Sequence, residues 1–493
     1  MKAKLAVIVL AVLAILAMRA AQMHIADTYL DPVGKVDAQD EAMYASSAMR
    51  MASHGEWLTP IYQDRYALFK PPLLAWTAGV SAKVFGSTAW AVRLPVMLAA
   101  AFTACLAFLW KRNLAAVVLL VSDRLWVTLS SLCLTDGLLV ACVAGAAYCL
   151  WRDPKLELRR CRWGFAAATA AAFLAKSVAG ALPVLILLVF CAVSKRGERP
   201  PWGRVVVVML AAGAMALPWC AYQMAVHPKW FWNEFVRSEI FTYGVASPIQ
   251  TSQDNAVWFY VKRLFLMDPV VALVGAVGIG FAWRRRERAL LAWTVVVLGT
   301  AMVWSYRNVT YLAPAVPALA ILGAGVLRPR WAPIALLAVL GVKLAMPPAT
   351  WGVDVHPGVL HPAVVQLDDY VRLHRGRELI LVDPFEGFYS AVLPIKVRYV
   401  FVNPAGVPPQ PPLDLHELGI LVSADEFAAL DRMRPVWRER LREWGLDSDA
   451  PIATAIVARS RAEVEALMRS RPEADYLVPD GGGFRFVLAT TAP

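Results

Sequence analysis

Charge is scarce in this chain. Only 17% of its 493 residues are Asp, Glu, Lys or Arg, where a soluble domain carries about a quarter, so a wholly water-soluble protein is excluded. Cysteine is missing wherever a disulfide framework would stand: Cys105, Cys133, Cys142, Cys149, Cys161, Cys191 and Cys220 all lie in or beside apolar runs. The seven histidines are scattered, with no His–Cys cluster at metal-ligand spacing. His54 and His227 read as solvated loop side chains. No glycine-rich nucleotide loop appears, since "DGGGF" at 480–484 reads as a hairpin turn.

What is abundant is apolar: 59% of residues are hydrophobic and the mean hydropathy is +0.52. Apolar runs of about 15 to 20 residues, suited to roughly 30 Å of hydrocarbon, fall near 4–20, 92–110, 114–130, 137–151, 163–175, 179–194, 205–222, 269–283, 289–304, 310–327 and 331–347. The basic loops "KRN" (111–113), "RDPKLELRRCR" (152–162), "SKRGERPPWGR" (194–204), "RRRER" (284–288) and "RPR" (328–330) fall on one side of these spans. By the positive-inside rule that side is the cytoplasm. The amino terminus is then cytoplasmic. The 21–91 loop, the Asp136 and Lys176 turns, the 223–268 loop and everything past 348 are outside. The net charge of +12 belongs to these loops and not to a nucleic-acid-binding face. The first segment, "MKAKLAVIVLAVLAILAMRAAQ", has the basic start, apolar centre and trailing small residues of a signal peptide.

Beyond Pro348 the composition becomes that of a soluble domain. Strand-like runs at 377–383, 397–402 and 419–423 are interleaved with amphipathic stretches at 425–444 and 461–471. The expected organisation is an α-helical polytopic membrane region, 1–347, followed by an extracytoplasmic α/β domain, 348–493.

Four features on the outer side carry chemistry. From Asp37 a short helix is expected, with Asp37 as cap, Asp40 in the first turn, and Asp37, Glu41 and Tyr44 on one polar face. The same residues also fit a surface helix whose acidic start complements its dipole. In "FKPPLLAW" (69–76), two prolines hold the chain extended around Lys70. That lysine suits either interfacial snorkelling or a lipid phosphate. "LCLTDGLLV" (132–140) opens a span with Asp136, and "FLAKSVAGALP" (173–183) sets Lys176 between two spans. An ionisable group at the lip of an apolar helix is costly and marks a candidate site. The plain alternatives are a helix N-cap for Asp136 and a loop cation for Lys176.

The ordered set "DE…Y", "FKPPL…W…FG…AVRLP", "TDGLLV", "AKSVAG", "LPW" and "YRNVTYLAPAVPAL" resembles the polytopic GT-C glycosyltransferases, in the branch of protein O-mannosyltransferases and lipid A aminoarabinose transferases. The likeness runs over residues 1–330 and is most specific at 40–95. It implies a GT-C bundle of membrane helices, with juxtamembrane helices in the first exported loop and the first segment retained as a signal anchor that holds that loop. It also implies a polyprenyl-phosphate-linked sugar as donor. Asp40 and Glu41 correspond to the first acidic pair, with Tyr44 completing that motif. Lys70 corresponds to the phosphate-contacting lysine, Asp136 to the second acidic site, and Lys176 to the lysine after the fifth span. Two positions depart from the aminoarabinose branch: Met43 replaces an arginine, and Glu239 in "FWNEFVRSEIFTYG" (231–244) stands near that branch's histidine. Both departures count against lipid A as acceptor and aminoarabinose as the transferred sugar. Arg237 and Arg263 are the candidate replacement cations.

The implied chemistry fits the residues. A polyprenyl phosphate is a good leaving group, so such an enzyme needs a cation for the departing phosphate and a carboxylate for the acceptor's proton. Lys70, with Lys176, suits the first role and Asp40 the second. Glu41 would orient acceptor or cation, and Asp136, Glu239 and Arg237 would shape the donor and acceptor sites. One base facing the leaving group across the sugar implies inversion. The acceptor, a hydroxyl or phosphate on a lipid, glycan or protein, and any need for a divalent cation stay open. The rival readings are a transporter or lipid-linked sugar flippase, which would carry its polar groups at the bilayer midplane, and a non-catalytic envelope partner.

Overall fold

The computed structural model describes residues 2–21, 38–62, 65–68, 70–243, 256–303 and 307–327, five strands between 379 and 489, and the helical positions Glu465 and Arg469. Helix α1 (Lys2–Ala21) buries Ile8, Val12 and Leu16 at four-residue spacing, flanked by the partly buried Leu5, Val9 and Leu13, while Leu10 and Met18 are exposed. Helix α2 (Ala38–His54) leads through a two-stranded hairpin, β1 (Ile61–Tyr62) and β2 (Arg65–Tyr66), to α3 (Leu73–Phe85). The residue Asp37, expected as the cap of α2, lies outside the described residues.

The bundle continues with α4 (Ala89–Lys111), α5 (Ala115–Ser122), α6 (Arg124–Ser130), α7 (Thr135–Arg152), α8 (Arg159–Lys176) and α9 (Leu182–Val193). After these come α10 (Trp202–Val226), the short α11 (Pro228–Trp230), a 13-residue π-helix (Phe231–Tyr243), α12 (Ala256–Met267), α13 (Pro269–Arg284) and α14 (Arg288–Val303). A 3₁₀ turn (Val309–Ala315) feeds α15 (Val316–Val326). Every expected span up to residue 327 coincides with helix; the last, 331–347, lies outside the described residues.

One expected span is not a single rod. The 114–130 segment breaks at Asp123, whose carboxylate accepts the Trp126 N–H at 2.8 Å and caps α6. At 8 residues, α5 rises about 12 Å and crosses nothing alone. Among the described residues five helical stretches are long and apolar enough to cross a bilayer, or seven if two sharply bent pairs, α6–α7 and α12–α13, are one span each. One of the five, the 35-residue stretch Arg159–Val193, doubles back on itself. A Cβ on Gly180 would lie 2.3 Å from the Phe173 Cα, a contact impossible in a straight helix, where residues seven apart are about 10 Å apart. The chain therefore reverses after Lys176, as two separate spans require. Close approach by glycine recurs where α13 crosses α15, since a Cβ on Gly278 would fall 2.5 Å from the Leu322 backbone.

Side-chain ties gather the basic loops at one end of the bundle. Lys111 Nζ donates to both Glu287 oxygens at 2.6 Å, and Asn113 donates to the carbonyls of Ala324 and Leu327. Glu198 pairs with Arg288, while Arg204 donates to the Lys155 carbonyl at 2.6 Å and faces Glu157. Thus 111–113, 152–162, 194–204, 284–288 and the residue before 328–330 meet, as loops on one membrane side must.

In the tail, β3 (Leu379–Val382), β4 (Arg398–Val402), β5 (Ile452–Ile456), β6 (Asp475–Pro479) and β7 (Phe486–Ala489) form one sheet in the order β4-β5-β3-β6-β7. All neighbours are parallel except the β6–β7 pair. Two strands fall on expected runs. The 419–423 run and the amphipathic stretches, apart from Glu465 and Arg469, lie outside the described residues. Strand β5 has no counterpart among the expected runs, because a short run such as "IATAI" carries little alternation to mark it, whereas β6 and β7 pair antiparallel on either side of 480–484, where a hairpin turn is expected. Parallel neighbours cannot be joined by a tight turn and need long crossovers.

Candidate active site

Opposite the basic loops, two ion pairs meet. Lys70 comes after the β1–β2 hairpin and precedes Pro71 and Pro72, the latter standing at the N-cap of α3. Its backbone is held from both sides: on the carboxyl side the two proline rings fix φ, and on the amino side the Leu68 N–H donates to Glu234 Oε2 at 2.8 Å. The Lys70 ammonium then donates to Glu239 Oε1. Glu234 and Glu239 are five residues apart on the π-helix, whose hydrogen bonds repeat at that interval, so both carboxylates face the 68–70 segment. Arg237, two positions before Glu239, is exposed.

The second pair joins α7 to α8. Asp136 is the second residue of α7, not its cap, and its Oδ1 accepts from Lys176 Nζ at 2.7 Å. Lys176 ends α8, and its Nζ lies 5.8 Å from the centre of the Tyr311 ring, within cation–π reach. Ser177 links the pairs, donating from Oγ to Glu239 Oε1 at 2.9 Å. The four charged side chains are between 10% and 20% exposed, enough to meet a ligand and too little for water to screen them fully. Lys70 and Lys176 are thus each paired with a carboxylate.

Glu41 has a different place. It is fully buried, and its two oxygens accept from Arg93 Nε at 2.7 Å and Nη2 at 2.8 Å, while Oε1 also takes the Cys133 N–H at 2.7 Å. Arg93, 2% exposed, donates from Nη1 to the Ala20 carbonyl at 2.9 Å. This network fastens the start of α2 to α1, to α4 and to the loop that delivers Asp136. Tyr44 is likewise buried, in the main apolar core of the bundle. The expected polar face of α2 is therefore an inward face, because Arg93 supplies from another helix the charge that lets a carboxylate be buried. Asp40 is the third residue of α2, beside Glu41; its side chain lies outside what the structure describes.

His227 is not simply solvated: its ring lies 4.0 Å from that of Tyr66, and burial holds it below the ordinary imidazole range. His54 meets Ser53 Oγ at 2.8 Å on the surface. Arg263 is buried with its guanidinium 5.4 Å from the Phe259 ring. Among the described residues no group of three or more His, Cys, Asp or Glu is placed to hold a metal ion. Sequence reasoning missed Arg93, Ser177, Glu234 and Tyr311. A charge inside an apolar span was the available signal for Arg93, and nothing local marked Ser177.

Three comparisons set this helical bundle beside known membrane proteins. Residues 69–222 match the family described as dolichyl-phosphate-mannose-protein mannosyltransferase. An undecaprenyl phosphate-alpha-4-amino-4-deoxy-L-arabinose arabinosyl transferase of Proteus mirabilis is 26% identical over 60% of this chain and 57% of its own length, and a Yersinia pestis counterpart is 26% identical over 58% and 54%. The chain thus spans less than two thirds of these relatives. The crystal structure of ArnT from Cupriavidus metallidurans bound to undecaprenyl phosphate shares the fold across 99% of this chain and 98% of that one, with a TM-score of 0.71 at 16% identity. These likenesses bear out the resemblance to the polytopic GT-C glycosyltransferases.

Proposed function

We propose that this chain is an integral membrane glycosyltransferase that moves a sugar from a polyprenyl-phosphate donor to a hydroxyl or phosphate acceptor on the extracytoplasmic face. The observation that carries it is the meeting of Lys70, Glu239, Lys176 and Asp136 at the end of the bundle away from the basic loops. In this reading Lys70 steadies the departing phosphate, with Lys176 beside it. Asp40 takes the acceptor's proton, and attack from the face opposite the phosphate inverts the anomeric carbon. Glu41 acts through Arg93 to place Asp40 rather than touching the acceptor, and Tyr44 packs behind it. The relatives named for undecaprenyl phosphate and dolichyl phosphate support a lipid-linked donor. Against a transporter, the paired charges stand at helix ends rather than at mid-span.

Lys70 gives the direct test. Arginine keeps the charge but changes its reach, so Lys70→Arg should retain part of the donor affinity, and Lys70→Ala should lose about tenfold to a hundredfold, as removal of a charge-assisted contact does. Donor affinity and turnover at wild-type values in Lys70→Ala would leave that lysine a snorkelling residue.

Sidedness has its own test. With the basic loops cytoplasmic, the 348–493 domain lies outside, and alkaline phosphatase fused after Pro493 should be active. Activity only from a cytoplasmic reporter at that position would invert the topology.

A further inference from the structure

Ser177 carries no charge, yet it stands between both ion pairs. Its backbone has φ 31° and ψ −113°, near the first central position of a type II′ turn, which glycine favours. A non-glycine residue held there is strained, and such strain concentrates at functional sites. The side chain accounts for its being a serine: the residue is 1% exposed, and Oγ donates to Glu239 Oε1 at 2.9 Å, the same oxygen that receives Lys70. The backbone accounts for the rest. The reversal that strains Ser177 presses Gly180 against Phe173 and ends α8 so that Lys176 reaches Asp136 and Tyr311.

We propose that Ser177 is a positioning residue: its hydroxyl holds the Glu239 carboxylate on Lys70 while its backbone sets Lys176 on Asp136, fixing the two ammonium groups relative to one another. That they thereby serve a donor phosphate rests on the function proposed above. Ser177 touches no reacting atom itself. A serine present only for packing would lose stability and activity together when replaced; a strained positioning serine loses binding while its glycine variant gains in stability.

The experiment uses the full chain in detergent, with Ser177→Gly, Ser177→Ala, Glu239→Gln and the Ser177→Gly, Glu239→Gln double variant. Three quantities are measured: melting temperature, affinity for undecaprenyl phosphate, and the rate at which Lys70 is acetylated by acetic anhydride, followed by mass spectrometry. Ser177→Gly should melt at or above wild type, bind undecaprenyl phosphate about tenfold more weakly, as loss of one hydrogen bond to a charged group implies, and expose Lys70 to acetylation at least about threefold faster. Ser177→Ala should share the last two effects. In the double variant, Ser177→Gly should add little, because the hydroxyl acts through Glu239. Wild-type binding and acetylation in Ser177→Gly, or losses that track its melting temperature, overturn the proposal. If the wild-type chain itself does not bind undecaprenyl phosphate, the donor reading fails, and the acetylation rates still decide the role of Ser177.

Discussion

Asp40→Asn should slow sugar transfer from a polyprenyl-phosphate donor by about a hundredfold or more, while the protein stays folded and still binds its donor. Asparagine keeps the size and much of the hydrogen bonding of aspartate but cannot take a proton at neutral pH. Loss of general-base assistance typically removes 10²–10⁴ in rate. The stability change should be small, since a first-turn carboxylate contributes about 1 kcal/mol or less through the helix dipole. Neighbouring Glu41 cannot substitute, because both of its oxygens are occupied by Arg93 and Cys133. The measurement is turnover by purified protein in detergent, with melting recorded alongside. A stable Asp40→Asn protein that transfers at the wild-type rate would return the start of α2 to the role of a surface helix with a favourable dipole.

Arg93→Ala should be the most destabilising single change at this site, costing about 3–5 kcal/mol, the penalty for leaving one partner of a buried ion pair uncompensated. Glu41 would keep a single backbone donor for a carboxylate with no access to water, and the Ala20 carbonyl would lose its guanidinium. Replacing both partners with apolar residues of similar volume, Glu41→Leu with Arg93→Met, should restore much of the stability, since such swaps are often close to neutral. Thermal unfolding of the two variants separates these outcomes. If Arg93→Ala melts as wild type does, the pair is not what fastens α2 to α1 and α4. If the double variant recovers its melting temperature and its turnover as well, the exact placement of Asp40 does not depend on this network.

Much of this protein could be read from the order of its residues. Span positions up to residue 327 came from apolar run length. The grouping of Lys111, Glu198, Arg204 and Glu287 at one end came from where Arg and Lys interrupt those runs, because moving charged loops across hydrocarbon is costly whatever the final packing. The candidate lysines and carboxylates were also visible one at a time, since an ionisable group beside an apolar helix is expensive enough to notice. Which of them pair was decided by tertiary structure. Lys70 and Glu239 are 169 positions apart, Lys176 and Asp136 are 40 apart, and Glu41 and Arg93 are 52 apart, and no local periodicity encodes contacts at such separations. The same reason explains the misreading of Glu41 and Tyr44. Spacing alone placed them on one face of α2, but whether that face meets water or a guanidinium from α4 depends on the helix packed against it. It explains the missed Ser177 as well: a serine is unremarkable until the chain reverses at Lys176, strains its backbone and sets its hydroxyl between two charged pairs.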